Sequence, residues 1–127
     1  MNHKMHRPTD AEIEILQILW EQGDCTVREV HEKLNQTKTT IYTTTLKTMQ
    51  RMFQKGLVSR NEDSRHHIYS AILKEEPTRK LFILELLARF FGNSTSELVL
   101  QALSAKKASP EEIREIENII QSLKKRE

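Results

Sequence analysis

The chain has 127 residues, with 20 Lys plus Arg against 18 Asp plus Glu and a formal net charge of +2. Apolar residues make up 37% and charged residues 30%, with three Gly and three Pro, which excludes collagen-like, disulfide-scaffold and wholly disordered chains. With one cysteine, an apolar run no longer than 81–84 and no apolar stretch in 1–7, neither a disulfide framework, a membrane span nor a secretion signal is expected, and a soluble cytoplasmic protein follows.

Thr9 and Glu12 have the spacing of a capping box, and Ile13, Leu16, Leu19 and Trp20 then repeat at helical spacing, thickened by Ile15 and Ile18. Gly23 ends that helix. Cys25 falls in the turn before the next helix N-terminus, a place that can lower a thiol pKa; a lone turn cysteine is more often inert, and the inert reading is preferred. Thr26 and Glu29 form a second capping box, followed by Val27, Val30 and Leu34 on one face and closed by 35–37. The third helix is expected from Thr39 or Thr40 to Gly56, with Ile41, Thr45, Met49, Met52 and Phe53 as its buried stripe. Thr43, Thr44, Lys47 and Arg51 then share the opposite face, while Leu46 lies between the two.

After Gly56 the period changes to two, and 57–60 and 67–71 read as short strands joined by the polar run 61–65. Three helices and a hairpin are the order of a winged helix-turn-helix. Pro77 is taken as a boundary, dividing a winged unit, 1–75, from a three-helix C-terminal region, 76–127. In that region nine of the eleven residues 81–91 are apolar, and a helix apolar nearly all round needs cover nearly all round. Gly92-Asn93-Ser94 breaks it. Leu98, Val99, Leu100, Ala102 and Leu103 carry a fifth helix, and Ser109 to Glu112 has the form of a third capping box. Ile113, Ile116, Ile119, Ile120 and Leu123 line one side of the last helix. So few residues cannot easily cover the 81–91 segment, so a second copy is expected to do so, through Phe82, Leu86, Phe90, Phe91, Leu98, Ile116 and Ile120. The expected fold class is therefore mainly α with a small β-hairpin wing, a winged helix-turn-helix followed by an α-helical dimerisation region.

From Lys33 to Asn61 there are six basic residues (Lys33, Lys38, Lys47, Arg51, Lys55, Arg60) and no acid. Such a stretch in a near-neutral chain suits a local polyanion partner, the alternative being a solvated helix face. The run 39–45 holds five threonines in seven positions, poor helix formers whose hydroxyls and methyls suit phosphates and base edges. Thr43, Thr44 and Lys47 are expected to read the major groove of double-stranded DNA, with Lys38, Thr39, Thr40, Tyr42 and Arg51 near the backbone. Arg65 and His67 belong to a wing that follows the DNA. His66 and His67, adjacent on a strand, point to opposite faces and make a poor metal pair. Glycine-rich phosphate loops and hydrolase signatures are missing, so no catalytic residue, metal or cofactor is expected, and the chain is read as no enzyme.

Residues 8–16, Leu19-Trp20, 26–30, Tyr42-Thr43-Thr44, Arg51, 55–58 and 64–69 resemble the penicillinase-repressor family (BlaI/MecI/CopY type). The resemblance covers roughly 8–72 as a chain of motifs, and the C-terminal half matches in layout. It implies a homodimeric winged-helix repressor, held together by C-terminal helices, that binds a dyad-symmetric operator. It also implies a membrane metalloprotease-type sensor as a partner, with induction by cleavage of the repressor. The copper-responsive branch carries a C-terminal cysteine cluster that this chain lacks. The penicillinase branch is cut at an Asn–Phe bond where this chain has Gln101-Ala102. A ligand-gated regulator and a winged-helix protein-interaction module stand as alternatives.

Overall fold

The computed structural model of the chain describes residues 7–126. The reading of 1–7 as free of a secretion signal thus falls, except for Arg7, outside the described residues. The element order is α1 (Asp10–Gln22), β1 (Cys25–Thr26), α2 (Val27–Leu34), α3 (Tyr42–Lys55), β2 (Val58–Asn61), β3 (Ile68–Ala71), α4 (Glu75–Phe90), α5 (Thr95–Ala105) and α6 (Pro110–Lys125). The chain divides into two compact units, one ending at Lys80 and one starting at Leu81. Pro77 makes no break. It occupies the first turn of α4, where its missing N–H leaves no helical bond unmade, and the helix continues across the division between the units.

In the first unit both expected capping boxes form. Thr9 and Glu12 exchange bonds at 2.9 and 3.2 Å, as do Thr26 and Glu29 at 2.8 and 3.2 Å. These boxes fix where α1 and α2 begin, and hence which residues face inward. Leu16, Val30, Met49 and Met52 are wholly buried, and Ile15, Leu19, Leu57, Val58 and Tyr69 nearly so. Each such side chain contributes about 1.5–3 kcal/mol of transfer free energy. The indole Nε1–H of Trp20 donates to the Leu73 carbonyl at 2.8 Å, tying α1 to the segment after the hairpin.

The hairpin gains a strand that its sequence did not announce. Cys25 and Thr26 pair antiparallel with Tyr69 and Ile68, so β3 is central and the sheet order is β1-β3-β2. On its other edge Val58, Ser59, Arg60 and Asn61 pair with Ala71, Ser70, Tyr69 and Ile68. Two residues have no period to read, which is why β1 escaped the pattern.

The third helix also begins later than expected. Asn35 accepts the Thr40 N–H through Oδ1 at 3.0 Å, and Ile41 is extended at φ −94°, ψ 138°, so Ile41 is the N-cap and Tyr42 the first helical residue. Thr39 and Thr40 belong to the turn. Ile41, expected in the buried stripe, is 69% exposed, because an N-cap lies ahead of the first turn and off the helical face. The rest of the stripe stands: Thr45, Met49 and Met52 are buried, and Phe53 and Leu46 pack partly against the core. Gly56 ends α3 in the left-handed conformation (φ 83°), with the Leu57 N–H returned to the Met52 carbonyl at 3.0 Å.

In the second unit Ser94 and Ser109 cap α5 and α6 through the backbone N–H groups of Glu97 and Glu112, both at 3.1 Å. At Ser109 only the serine half of the expected box forms. Apolar side chains remain widely exposed along all three helices, including Leu84 at 63% and Phe90 at 70%. Ile120 is exposed too, while Phe82, Leu86, Phe91, Leu98 and Ile116 are half-buried.

Candidate nucleic-acid interface

The acid-free window is neutralised from outside itself. Lys33 meets Glu21 at 3.9 Å, Lys38 meets Glu14 at 2.7 Å, Lys55 meets Glu12 at 2.7 Å and Arg60 meets Glu62 at 2.5 Å. Among the described residues of 25–71, Arg28, Lys47, Arg51 and Arg65 are the cations without an ion pair. Their placement carries the site.

Lys47 and Arg51 project from the outer face of α3 with Thr43 and Thr44, all four exposed. At about 100° per residue, Thr43, Lys47, Gln50 and Gln54 lie opposite the buried Thr45–Met49–Met52 stripe, with Thr44 and Arg51 on one flank. On the other flank Tyr42, Leu46 and Gln50 form one wall of a cleft of about 390 Å³. Its remaining wall comes from Thr26, from Val27 and Arg28 on α2, and from Arg60, Arg65, His66, His67 and Tyr69 of the hairpin. The wing and the outer edge of α3 therefore border one concave, cationic surface.

The expected DNA-binding residues divide accordingly. Thr43, Thr44, Lys47 and Arg51 are together on the exposed face of α3, outside the cleft lining, and Arg65 and His67 border the cleft. Tyr42 borders it too but is half-buried, edge-on to His31 at 5.4 Å and covered by the Arg28 guanidinium at 5.2 Å. Lys38, expected at the start of α3, instead lies in the turn and is held by Glu14, because the helix starts later than the pattern suggested. Thr39 is exposed and Thr40 half-buried in the same turn, so neither rides on the helix face. Arg28 and Gln50 were missed. Arg28 lies outside the acid-free window, and Gln50 carries no charge to draw attention.

Two of the paired cations serve the scaffold. Glu12 is 2% exposed; burial alone would raise its pKa, but the hydrogen bonds from Lys55 and from Thr9 outweigh this and hold it below the usual carboxylate value. That pair locks the end of α3 to the start of α1. Arg60 lies over the Phe53 ring at 4.1 Å and bonds Glu62 and the Tyr69 hydroxyl, fixing the root of the wing; its hydrogen bond holds the Glu62 carboxyl low. Cys25 is 4% exposed with its thiol on the Gly23 carbonyl at 3.3 Å, and burial, with Glu29 and Asp24 nearby, pushes its pKa up. Both the burial and the raised pKa run against activation of the thiol by the helix N-terminus.

Comparison with known proteins points the same way. The sequence model described as Penicillinase repressor matches residues 8–122. The chain is 26% identical over 123 residues to the penicillinase repressor of Bacillus licheniformis, covering 97% of this chain and 96% of that one. It is 22% identical over 120 residues to the methicillin resistance regulatory protein MecI of Staphylococcus aureus strain N315, covering 94% and 98%. With the transcriptional regulator BlaI of Mycobacterium tuberculosis it shares 36% identity over 70 residues, about half of each chain. The solved DNA binding domain of the repressor BlaI superposes with a TM-score of 0.51 at 25% identity, over 57% of this chain and 88% of that domain. A MarR family protein from Bacillus stearothermophilus superposes with a TM-score of 0.52 at 25% identity, over 95% and 76%. The chain belongs to the penicillinase repressor family, a family of transcriptional repressors and not of enzymes.

Proposed function

We propose that the chain is a cytoplasmic transcriptional repressor that binds a double-stranded, dyad-symmetric operator as a homodimer, occupying a promoter. Thr43, Thr44 and Lys47 read base edges in the major groove, and Arg51, Arg65 and Arg28 anchor the phosphate backbone. His67, Tyr42, Thr39 and Thr40 line the approach, and Lys38 stands by with its charge balanced by Glu14. The observation that carries this reading is the sorting of cations. Lys33, Lys38, Lys55 and Arg60 are matched with carboxylates, while the unmatched cations are Lys47 and Arg51 on the outer face of α3 and Arg28 and Arg65, which line the cleft.

The second unit supplies the dimer. Phe82, Leu86, Phe90, Phe91, Leu98, Ile116 and Ile120 are the residues that a second copy covers, and the exposure of Leu84, Phe90 and Ile119 on one chain supports this. Derepression comes from a sensor-protease pathway that cuts between Phe91 and Ala108, severing the tail and leaving the winged unit intact. The test is to select binding sequences from fragmented genomic DNA with the purified protein. Inverted repeats whose half-sites lie one or two helical turns apart support the reading, and a pool no different from random duplex defeats it. For the release step, the mass of the protein recovered from induced cells decides: an uncut chain that has left its operator refutes cleavage.

A further inference from the structure

We propose that His31 is a positioning residue for DNA recognition: neutral and protonated at Nδ1, it completes a hydrogen-bonded relay from the α2–α3 turn to the inside of α3, and a proton at Nε2 breaks it. This rests on the reading of α3 as the DNA-reading helix.

The directions of the relay follow from its two ends. The Thr40 N–H can only donate, and it meets Asn35 Oδ1 at 3.0 Å, so the amide nitrogen of Asn35 is turned the other way. That nitrogen stands 3.0 Å from His31 Nε2, and because an amide NH2 only donates, Nε2 must accept. The single proton of the neutral ring is then on Nδ1, which donates to the Thr45 hydroxyl at 3.2 Å. Thr45 is 2% exposed, inside α3. One unbroken line of donors thus runs from Thr40 through Asn35 and His31 to Thr45.

The relay matters because α3 lacks the usual device at its start. Thr9, Thr26, Ser94 and Ser109 cap their helices with side-chain oxygens, whereas the N-cap of α3 is Ile41, which offers none. The turn ahead of α3 is held instead by Asn35 on Thr40. Thr43 and Thr44, the proposed base readers, are the second and third residues of that helix.

Protonation of His31 places Nε2–H against the amide NH2 of Asn35, two donors face to face. Turning the amide moves the conflict without removing it, since the NH2 then faces the Thr40 N–H. From α3 the ring is faced by Tyr42, edge-on at 5.4 Å, and Arg28 on α2 lies over that same tyrosine. On α2 the neighbouring Lys33 pairs with Glu21, and Glu32 is exposed. α1 and β1 also pack on α2, and among the described residues they give His31 no hydrogen bond, ion pair or ring contact. Among the described residues, no carboxylate makes an ion pair or a hydrogen bond with the ring.

The expected sign is unusual. Protonating histidines near DNA, such as His66 and His67 at the wing, adds positive charge and strengthens binding. Loss of the relay weakens it. The experiment measures affinity for the selected duplex at constant ionic strength from about pH 8 to about pH 5.5, where histidine titrates, for the wild type, His31→Gln and Asn35→Asp. Circular dichroism follows the fold. The wild type is expected to lose about tenfold in affinity on acidification, roughly the worth of one hydrogen bond. His31→Gln abolishes the fall. Asn35→Asp abolishes or inverts it, because a carboxylate accepts from both the Thr40 N–H and a protonated ring. Nitrogen-15 shifts of His31 at pH 8 should show the Nδ1–H tautomer. An Nε2–H tautomer, or a wild-type pH profile equal to that of His31→Gln, overturns the relay while leaving DNA binding intact. If Asn35→Asp does not fold, the wild type against His31→Gln decides. Absence of any binding at pH 8 is the separate outcome that defeats the DNA-reading role itself.

Discussion

The salt dependence of DNA binding can be worked from the sorting of cations. Each head presents four unmatched cations, Arg28, Lys47, Arg51 and Arg65, so a dimer brings eight. If each neutralises one phosphate, log K against log salt has a slope of about −7 for duplex DNA, a loss of about four decades between 50 and 200 mM salt. Lys47→Ala, Arg51→Ala or Arg65→Ala removes two of the eight per dimer and should bring the slope to about −5.5. Lys38→Ala should leave it unchanged, because that charge is already balanced by Glu14, which would approach the phosphates with it. Fluorescence anisotropy of a labelled duplex in a salt series measures each slope. A wild-type slope beyond about −10, or equal slopes for Lys38→Ala and Lys47→Ala, would refute the distinction between matched and unmatched cations.

Other variants separate reading, stability and assembly. Thr44→Ala should cost about 1–3 kcal/mol on the selected site and relax discrimination at one base pair, measured by competition against single-base variants; uniform loss on all sequences would make Thr44 an anchor instead. Lys55→Met should destabilise the fold by about 1–3 kcal/mol at neutral pH by stranding the buried Glu12 carboxylate, as read by urea titration. Because the fold lowers the Glu12 pKa, its contribution is full above the unfolded value and disappears as pH falls through the folded one, so the deficit of Lys55→Met should shrink in acid. A deficit independent of pH would show that the ion pair is not its cause. Phe90→Glu should convert a sedimenting dimer to a monomer at micromolar concentration and weaken operator binding steeply, since two linked heads raise the effective concentration of the second. An unchanged sedimentation coefficient would place the dimer contact elsewhere.

What was legible in the sequence was what is local. The boxes at Thr9–Glu12 and Thr26–Glu29 are set by residues three apart, and the stripe Thr45–Met49–Met52 by steps of three and four residues along one helix. What escaped depends on distant partners. β1 exists only because Tyr69 and Ile68 arrive from more than 40 residues away. The acid-free window looked uniformly available because Lys38–Glu14 and Lys55–Glu12 span 24 and 43 residues, and no local pattern pairs them. The late start of α3 had a clue in Asn35, whose side chain reaches five residues on to the Thr40 N–H, but such reach is invisible to periodicity. The outer face of α3 needed no distant information, so the shared exposure of Thr43, Thr44, Lys47 and Arg51 could be read from spacing alone.

The central claim is that the outer face of α3 lies against base edges. Incorporating a photocrosslinking amino acid at Thr43, and separately at Gln17, tests it most directly. Gln17 is exposed on α1 and lines a groove that shares no residue with the cleft between α3 and the wing. Irradiation with the selected duplex should give crosslinks from position 43 at symmetric positions in the two half-sites, and none from position 17. Crosslinks from 17 and none from 43 would contradict the account.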